Sequence, residues 1–501
     1  MSDRVRQLAG HFSDTPAGAN TAPYQVSEQP LGATRHVRIA TIGAGMSGLN
    51  MIRTLRLHLT DFEHVVYEKN PEIGGTWFEN RYPGCKCDVP SHNYQFSWRP
   101  NSEWSGFFST ATEIQAYLCR VCEEEGMREK FEGHLIHSAN WPSGFDHSGL
   151  KIAVIGNGSS GVQILPEIQP DVKELVHFVR EPTWVVPGRL QLLAQGAAGG
   201  ILGEVGMREN ADFTEAQIER FKTDRIFYRK FVKAVEEVVN GNFPITLKDT
   251  EFAASVQEKA TEYMKEALGG DERLCNAIIP KFPLGCRRLT PAVDYLWALR
   301  KPNVRVVTDP IASIEAKGLR TETGELIEVD AIICATGFDV SFRPPIPSPW
   351  KAIPDFPNYF MFLGPNAPIG HGSVFTITEH IAKYLTRIIK KCQTEGISAI
   401  APQHSAVDEL FDHTQRFMPR TAWSGDCISW FKGGTIDGPV TALHPGSRIH
   451  FFHMLENFRG EDWEYTRTNK KNRFQFLGNG FSTKELGDED PTWYLDEPDK
   501  I

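Results

Sequence analysis

The chain lacks any run of about 18 consecutive apolar residues, so nothing in it reads as a membrane-spanning helix. Its first residues also lack the basic-then-apolar order of a secretory signal, and a cytoplasmic protein is expected. There is no basic stripe either. The formal net charge is −10 and the pI about 5.9, whereas a chain that tracks a phosphate backbone needs clustered Lys and Arg. Nucleic acid is therefore not an expected partner. Cysteine is sparse, nine in 501 residues, which excludes a disulfide scaffold and fits a reducing compartment. Cys85-x-Cys87 and Cys119-x-x-Cys122 have the spacing of zinc ligands, but residues 114–125 carry the periodicity of an amphipathic helix rather than of a metal-binding loop. No metal is expected.

What remains is a globular composition, 41% hydrophobic and 23% charged, long enough for two or three domains at roughly 100–200 residues each. Residues 1–35 are rich in small and polar types and read as a flexible N-terminal arm. A β-branched run, Val37–Ile42, then ends in a glycine cluster. A helical stretch from about Ser47 to Leu59 and a second strand, His64–Tyr67, complete a βαβ opening. The same order recurs with Lys151–Ile155, a helix over Gly158–Ile168 and a strand Glu174–Val179. Helical, charged sequence follows from about 207 to 270, including Glu215–Val239 and Phe252–Leu268. Strands return at Val304–Val307 and Ala331–Cys334, and Ile377–Lys391 predicts a long helix.

Both openings carry G-x-G-x-x-G. In Gly43-x-Gly45-x-x-Gly48 the first glycine permits the tight turn, the second lets backbone N–H groups approach a pyrophosphate, and the third lets helix and strand pack closely. Glu68 ends the second strand, where a carboxylate accepts hydrogen bonds from ribose hydroxyls. The second cluster is Gly156-x-Gly158-Ser159-Ser160-Gly161, and its second strand ends at Arg180 instead of an acid. A guanidinium there either suits the 2′-phosphate of NADP or is a solvated surface charge. One site ending in Glu and one in Arg implies two different dinucleotides, most simply FAD and NADPH.

Between the clusters runs Phe131-Glu-Gly133-His-Leu-Ile-His137-Ser138-Ala-Asn-Trp141-Pro142. It resembles the F-x-G-x-x-x-H-T-x-x-W-P fingerprint of the Baeyer–Villiger monooxygenases, with Ser138 in place of threonine. Gly74-Gly75-Thr76-Trp77 and Arg81-Tyr82-Pro83-Gly84-Cys85-x-Cys87-Asp88 look like that family's flavin-lining segment, with Tyr94 at a matching position nearby. Pro283-Leu-Gly285-Cys286-Arg287-Arg288 resembles its P-x-G-x-K-R segment. The resemblance implies that Arg288, with Asp88, stabilises anionic oxygen next to the flavin, that Arg287 contacts the nicotinamide nucleotide phosphate, and that His137 links domain movement to catalysis. It further places Asn366, in Phe362-Leu-Gly364-Pro365-Asn366, near the flavin and makes Trp430, in Ser429-Trp430-Phe431-Lys432, part of a segment that closes over the nucleotide. Ala335-Thr336-Gly337-Phe338 would return the chain to the flavin domain.

The expected fold is α/β. A FAD-binding domain is formed by 36–142 and 339–490, and a doubly wound NADP-binding domain, 143–338, is inserted in it with a helical insertion at about 207–270. The expected reaction inserts oxygen from dioxygen beside the carbonyl of a small-molecule ketone, giving an ester or lactone, in fungal polyketide or mycotoxin biosynthesis. Oligomeric state has no sequence signal. Two departures stand out: Lys130 runs straight into Phe131, where the family has further flavin-domain strands, and the stretch from Phe342 to Ile353 is short. The rivals are an N- or S-oxygenating flavin monooxygenase and a non-catalytic truncated paralogue that has lost the flavin.

Overall fold

The computed structural model describes residues 24–127, 145–187, 199–205, 212–315, 317–335 and 356–487, with three isolated positions beyond. The fingerprint at 131–142, with His137, and Thr336-Gly337-Phe338 lie outside the described residues.

Strand β1 (Val37–Ile42) runs parallel to β2 (Phe62–Tyr67), in register from Val37 opposite Phe62 to Ile42 opposite Tyr67. Helix α1 (Met46–His58) connects them. A Cβ at Gly48 would drive into the Gly43 carbonyl oxygen, so only glycine lets this helix start so close to its strand. Short α2 (Thr76–Glu79) and α3 (Ala111–Glu124) follow. Among the described residues this sheet has two strands. One face of β1 is half-buried, while Arg38, Ala40 and Ile42 point to solvent, Ile42 being 86% exposed. A cavity of about 140 Å³ lies between β2 and α3, lined by Leu49, Phe62, Val66, Cys122 and Met127 among others. Two strands alone are marginal. The unit is held instead by Met51, Leu55 and Leu59 of α1 packing on Ala382, Leu385 and Ile388 much later in the chain.

The second opening is a Rossmann-like layer, with helix on one face and, where the expected doubly wound form has helices, antiparallel strands on the other. Strands β3 (Lys151–Ile155), β4 (Glu174–Phe178) and, further on, β5 (Val304–Val307) and β9 (Ala331–Cys334) form one parallel sheet in the order β9-β3-β4-β5. Helix α4 (Ser159–Ile168) covers one face through Val162, Leu165 and Ile168 against Ile152, Val154 and Leu175. The antiparallel strands β6 (Ile311–Glu315), β7 (Gly318–Thr321) and β8 (Leu326–Glu328) cover the other, with Leu319 and Ile327 on Ala153, Val176 and Phe178. Burial on both faces is why these strands read as unbroken apolar runs.

Helices α5 (Gly199–Val205), α6 (Glu215–Thr223), α7 (Arg225–Gly241), α8 (Glu251–Ala267) and α9 (Glu272–Ile278) lie between β4 and β5 in sequence, extending past the expected limit at 270. The helix expected over Glu215–Val239 breaks at Asp224. That residue leaves the helical region (φ −104°, ψ 85°), and its side chain caps α7 by accepting from the Phe227 N–H. Beyond β9, α10 (Val374–Thr394) is longer than expected and starts at a Ser373 cap. It is followed by β10 (Ile397–Pro402), α11 (His404–Phe417), α12 (Arg448–Met454) and β11 (Trp463–Arg467), which pairs antiparallel with β10. The end of the expected arm is docked: the Leu31 N–H donates to Phe481 O, and the Thr483 N–H donates to Leu31 O.

Two buried histidines make the fold acid-sensitive. His92 is 2% exposed, boxed by Phe213, Phe221, Tyr228 and Phe231, with no hydrogen-bond partner on either ring nitrogen. Burial pulls its pKa down to about 3. His177, in β4 with Nε2 3.0 Å from the Tyr295 hydroxyl, is pulled down to about 4 by the same cause. Below an unfolded pKa near 6.5 the unfolded chain binds protons that the folded chain refuses, so stability is full above 6.5 and falls toward 4. At pH 5 each histidine is expected to cost about 2 kcal/mol. Urea midpoints at pH 7.5 and 5 will measure this, and His92→Phe is expected to remove its share of the difference. Equal midpoints at the two pH values would refute the assignment.

Candidate active site

Both glycine clusters adopt the same local geometry. The Gly43 N–H donates to Tyr67 O at 2.6 Å, and the Gly156 N–H to Phe178 O at 3.1 Å. The helices they open, α1 and α4, begin without a side-chain cap, whereas α3, α6, α7, α8, α9 and α10 are each capped by Thr, Asp or Ser. First-turn N–H groups left open in this way suit a pyrophosphate. Glu68 is 8% exposed, and its two oxygens accept one N–H each, from Ala44 at 2.6 Å and Asn70 at 3.0 Å, leaving further acceptor capacity for ribose hydroxyls. Gly45 faces Gly75, which has φ of 56°; a Cβ on Gly75 would sit 3.2 Å from Gly45 Cα. The bare backbone of this pair forms a cradle that side chains would fill, and the residues fit FAD.

At the second cluster Gly158 and Ser159 are exposed at the α4 N-terminus, while the Ser160 side chain hydrogen-bonds Tyr82. Arg180 is exposed. Arg287 is partly buried and ion-paired with Glu181, and burial, then the neighbouring charge of Arg180, hold its pKa below the ordinary guanidinium range. Its buried Nε has no hydrogen-bond partner. Two guanidiniums against one carboxylate leave a net positive spot with an unused donor, which fits a nucleotide phosphate.

The two units meet in the turn 81–88. The Tyr82 hydroxyl lies 3.1 Å from Gln163 Oε1 on α4, and a Cβ on Gly84 would collide with Gln163 O, so this turn lies flush on the second unit. Asp88 is thereby carried to Arg288. The contact is a fork, with Nε donating to Oδ2 at 2.6 Å and Nη2 to Oδ1 at 2.7 Å. The Asp88 carboxylate raises the Arg288 pKa further, so its charge is permanent. Tyr94 is 7% exposed beside this pair, edge-on to Trp77 at 5.5 Å and to Phe375 at 4.8 Å, and burial keeps its hydroxyl protonated. Thr76 opens α2 next to Gly75 and accepts from Asn80 Nδ2 at 3.0 Å. Asn366 holds a left-handed turn (φ 55°) and donates its N–H to Thr441 O. Trp430 starts a 3₁₀ turn, 430–432, with its ring 4.7 Å from that of Phe431.

The structure thus brings Trp77, Asp88, Tyr94 and Arg288 together and sets Arg180 against Arg287. Sequence reading missed three features here. Glu181 was not singled out, although it directly follows Arg180. Lys432 is 3% exposed, its ammonium donating to Gly425 O at 2.5 Å and Ile436 O at 2.6 Å, with its pKa lowered by burial. Cys286 and Cys427 form a disulfide, which the expectation of a reducing compartment did not foresee, while the other seven cysteines form none. Across 141 residues no local signal announces such a pairing.

A chain with two dinucleotide cradles on Rossmann-like units, joined at a carboxylate-held arginine, is a two-dinucleotide oxidoreductase. Residues 41–111 match the family model described as an NAD(P)-binding Rossmann-like domain. The chain is similar to the FAD-binding monooxygenase moxY of Dothistroma septosporum, 33% identical over 92% of this chain and 87% of that protein. It is equally similar to the FAD-binding monooxygenase tazF of Aspergillus terreus, 33% identical over 92% and 95%. A closed crystal structure of cyclohexanone monooxygenase superposes with a TM-score of 0.69, 23% identity, and coverage of 87% of this chain and 100% of that one. The chain belongs to the FAD-binding monooxygenases and is an NADPH-dependent flavoprotein monooxygenase. The alignment with moxY runs over 565 positions, more than the 501 residues of this chain, so the relative carries residues that have no counterpart here.

Proposed function

We propose that this chain inserts oxygen beside a ketone carbonyl, giving an ester or lactone, with the net conversion of ketone, dioxygen, NADPH and a proton to ester, NADP⁺ and water. The observation that carries this is the Asp88–Arg288 fork beside Tyr94 and Trp77. Bound FAD, reduced by NADPH, supplies the activation of dioxygen. Of the five guanidinium N–H groups two are committed to Asp88, which leaves three to hold negative oxygen as it develops on the substrate. Gly43, Gly45, Gly48, Glu68, Gly75 and Thr76 would hold FAD. Gly156, Gly158, Ser159, Ser160, Gly161, Arg180 and Arg287 would hold NADPH, with Trp430 closing on it and Asn366 near the flavin ring. His137 would link domain movement to catalysis. The same reading divides the chain into a flavin unit, 36–142 with 339–490, and an NADP unit, 143–338, in a cytoplasmic protein. The substrate in this reading is a ketone of fungal polyketide or mycotoxin biosynthesis.

The test is a visible spectrum of the purified protein, NADPH addition in air, and a panel of ketones, amines and sulfides. A flavin spectrum that bleaches and recovers, with ester formed from ketones, is expected. Preferential N- or S-oxidation, or a colourless protein that FAD does not restore, overturns the proposal.

The cationic pair gives a second test. Arg180→Ala and Arg287→Ala are each expected to raise the KM for NADPH about 10-fold or more, the value of one charge-assisted hydrogen bond, and to leave that for NADH unchanged. A parallel rise for NADH would remove these residues from the 2′-phosphate.

A further inference from the structure

The Cys286–Cys427 disulfide sits where regulation would have most leverage. Cys286 directly precedes Arg287 and Arg288, and Cys427 lies three residues before Trp430. The bond therefore ties the segment carrying Trp430 to the loop carrying both arginines. Both cysteines are buried, at 0% and 2% exposure. Other contacts hold the same two segments. A Cβ on Gly285 would meet the Ala422 side chain at 3.7 Å, and Lys248 pins the 420–424 stretch by donating from Nζ to the Ser424 hydroxyl at 3.0 Å and from its backbone N–H to Arg420 O at 2.8 Å. A Cβ on Gly425 would approach Pro283 to 3.1 Å. The segments would remain neighbours without the covalent bond, so opening it need not unfold the site.

The surroundings are those of a reactive thiol pair. The buried Lys432 ammonium and the Cys427 N–H both donate to Gly425 O. Asp426 and Asp437, and behind them Lys248 and Arg287, act on that ammonium. An ammonium held on the same carbonyl as the Cys427 N–H favours the thiolate of Cys427, the species that exchange and peroxide reduction require.

We infer that Cys286 and Cys427 are a redox-modification site, closed by a hydroperoxide and opened by a dithiol, that sets how firmly the Trp430 segment is held on the arginine loop. In closing, the Cys427 thiolate attacks a peroxide oxygen, breaking the O–O bond to give a sulfenic acid and hydroxide, which is protonated to water. Cys286 then displaces the sulfenic oxygen as a second water and forms the S–S bond. Two thiols lose two electrons and two protons, and one hydrogen peroxide becomes two waters. In opening, a dithiol reduces the bond through a mixed disulfide and is itself oxidised to a disulfide. The reading as a monooxygenase enters only as a source of oxidant, since NADPH oxidation that fails to transfer oxygen yields hydrogen peroxide from dioxygen.

The full-length holoprotein is treated with dithiothreitol under native conditions, desalted, and half is exposed to hydrogen peroxide. Each sample is alkylated with N-ethylmaleimide after denaturation and mapped by mass spectrometry, and native samples are digested briefly with trypsin. The two cysteines are expected to become alkylated after dithiothreitol and protected again after peroxide, with cleavage at Lys432 several-fold faster in the reduced form. Cys427→Ser is expected to cleave at the reduced rate whatever the treatment. A bond that dithiothreitol opens only in denaturant would make it a fixed structural link. Two alkylated cysteines in every state would mean no bond forms, and equal cleavage rates would mean no effect on the segment; each overturns the inference. These readouts need no turnover, so a failure to oxidise ketones leaves them interpretable.

Discussion

Replacing Arg288 with alanine is expected to lower the kcat for ketone oxidation by about 10²–10³-fold, the loss typical of removing one preorganised donor from developing negative charge. NADPH oxidation in air should continue, because the nucleotide cradles at Gly43–Gly48 and Gly156–Gly161 are built from backbone far along the chain from this side chain. Electrons would then leave as hydrogen peroxide rather than as ester. The measurement is a three-way balance of NADPH consumed, peroxide released and ester formed. Arg288→Lys keeps the charge but cannot make the fork with Asp88 seen here at 2.6 and 2.7 Å, so partial recovery is expected. Asp88→Asn keeps the shape and removes the charge, and should fall between wild type and Arg288→Ala. Ester formation unchanged in Arg288→Ala would place the chemistry elsewhere in the chain.

Much of this site is legible in the sequence because it depends on short-range spacing. Gly43 and Gly156 must turn tightly after a strand, and Glu68 and Arg180 must end the next one; both requirements are local. The turn from Arg81 to Asp88 is likewise a contiguous motif. What spacing could not show is how distant segments neutralise one another. Glu181 takes the charge of Arg287 and Cys286 reaches Cys427, each through tertiary contact alone. The break at Asp224 was hidden for a different reason. Its flanks share one apolar face, so periodicity runs through the cap. The first sheet is the reverse case. Both strands it shows among the described residues, Val37–Ile42 and Phe62–Tyr67, are legible in the sequence, whereas the exposed Ile42 and the cavity beside Met127 are seen only in the fold.

Contacts between segments far apart in the chain also hold the fold, and Arg448 makes several of them. It is fully buried at the start of α12, and its guanidinium reaches two other helices. It pairs with Glu236 on α7, donates to Asn240 Oδ1 at 2.6 Å, and reaches Thr376 Oγ1 on α10 at 3.3 Å. Glu236 also accepts from Asn93, in the loop before α3, so a single carboxylate joins α7 and α12 to that loop. Arg448→Ala is expected to cost about 3–5 kcal/mol, because it opens a void and leaves Glu236 without its counter-charge. Arg448→Met fills the void but not the charge, and Arg448→Met with Glu236→Gln should recover much of the loss, since replacing both partners of a buried pair is often close to neutral. Urea midpoints measure all three. Arg416→Ala, which breaks the exposed pair with Asp412, serves as the control and should not move the midpoint. If the double variant is no more stable than Arg448→Met, the carboxylate is held by its other contacts and the arginine acts through packing alone.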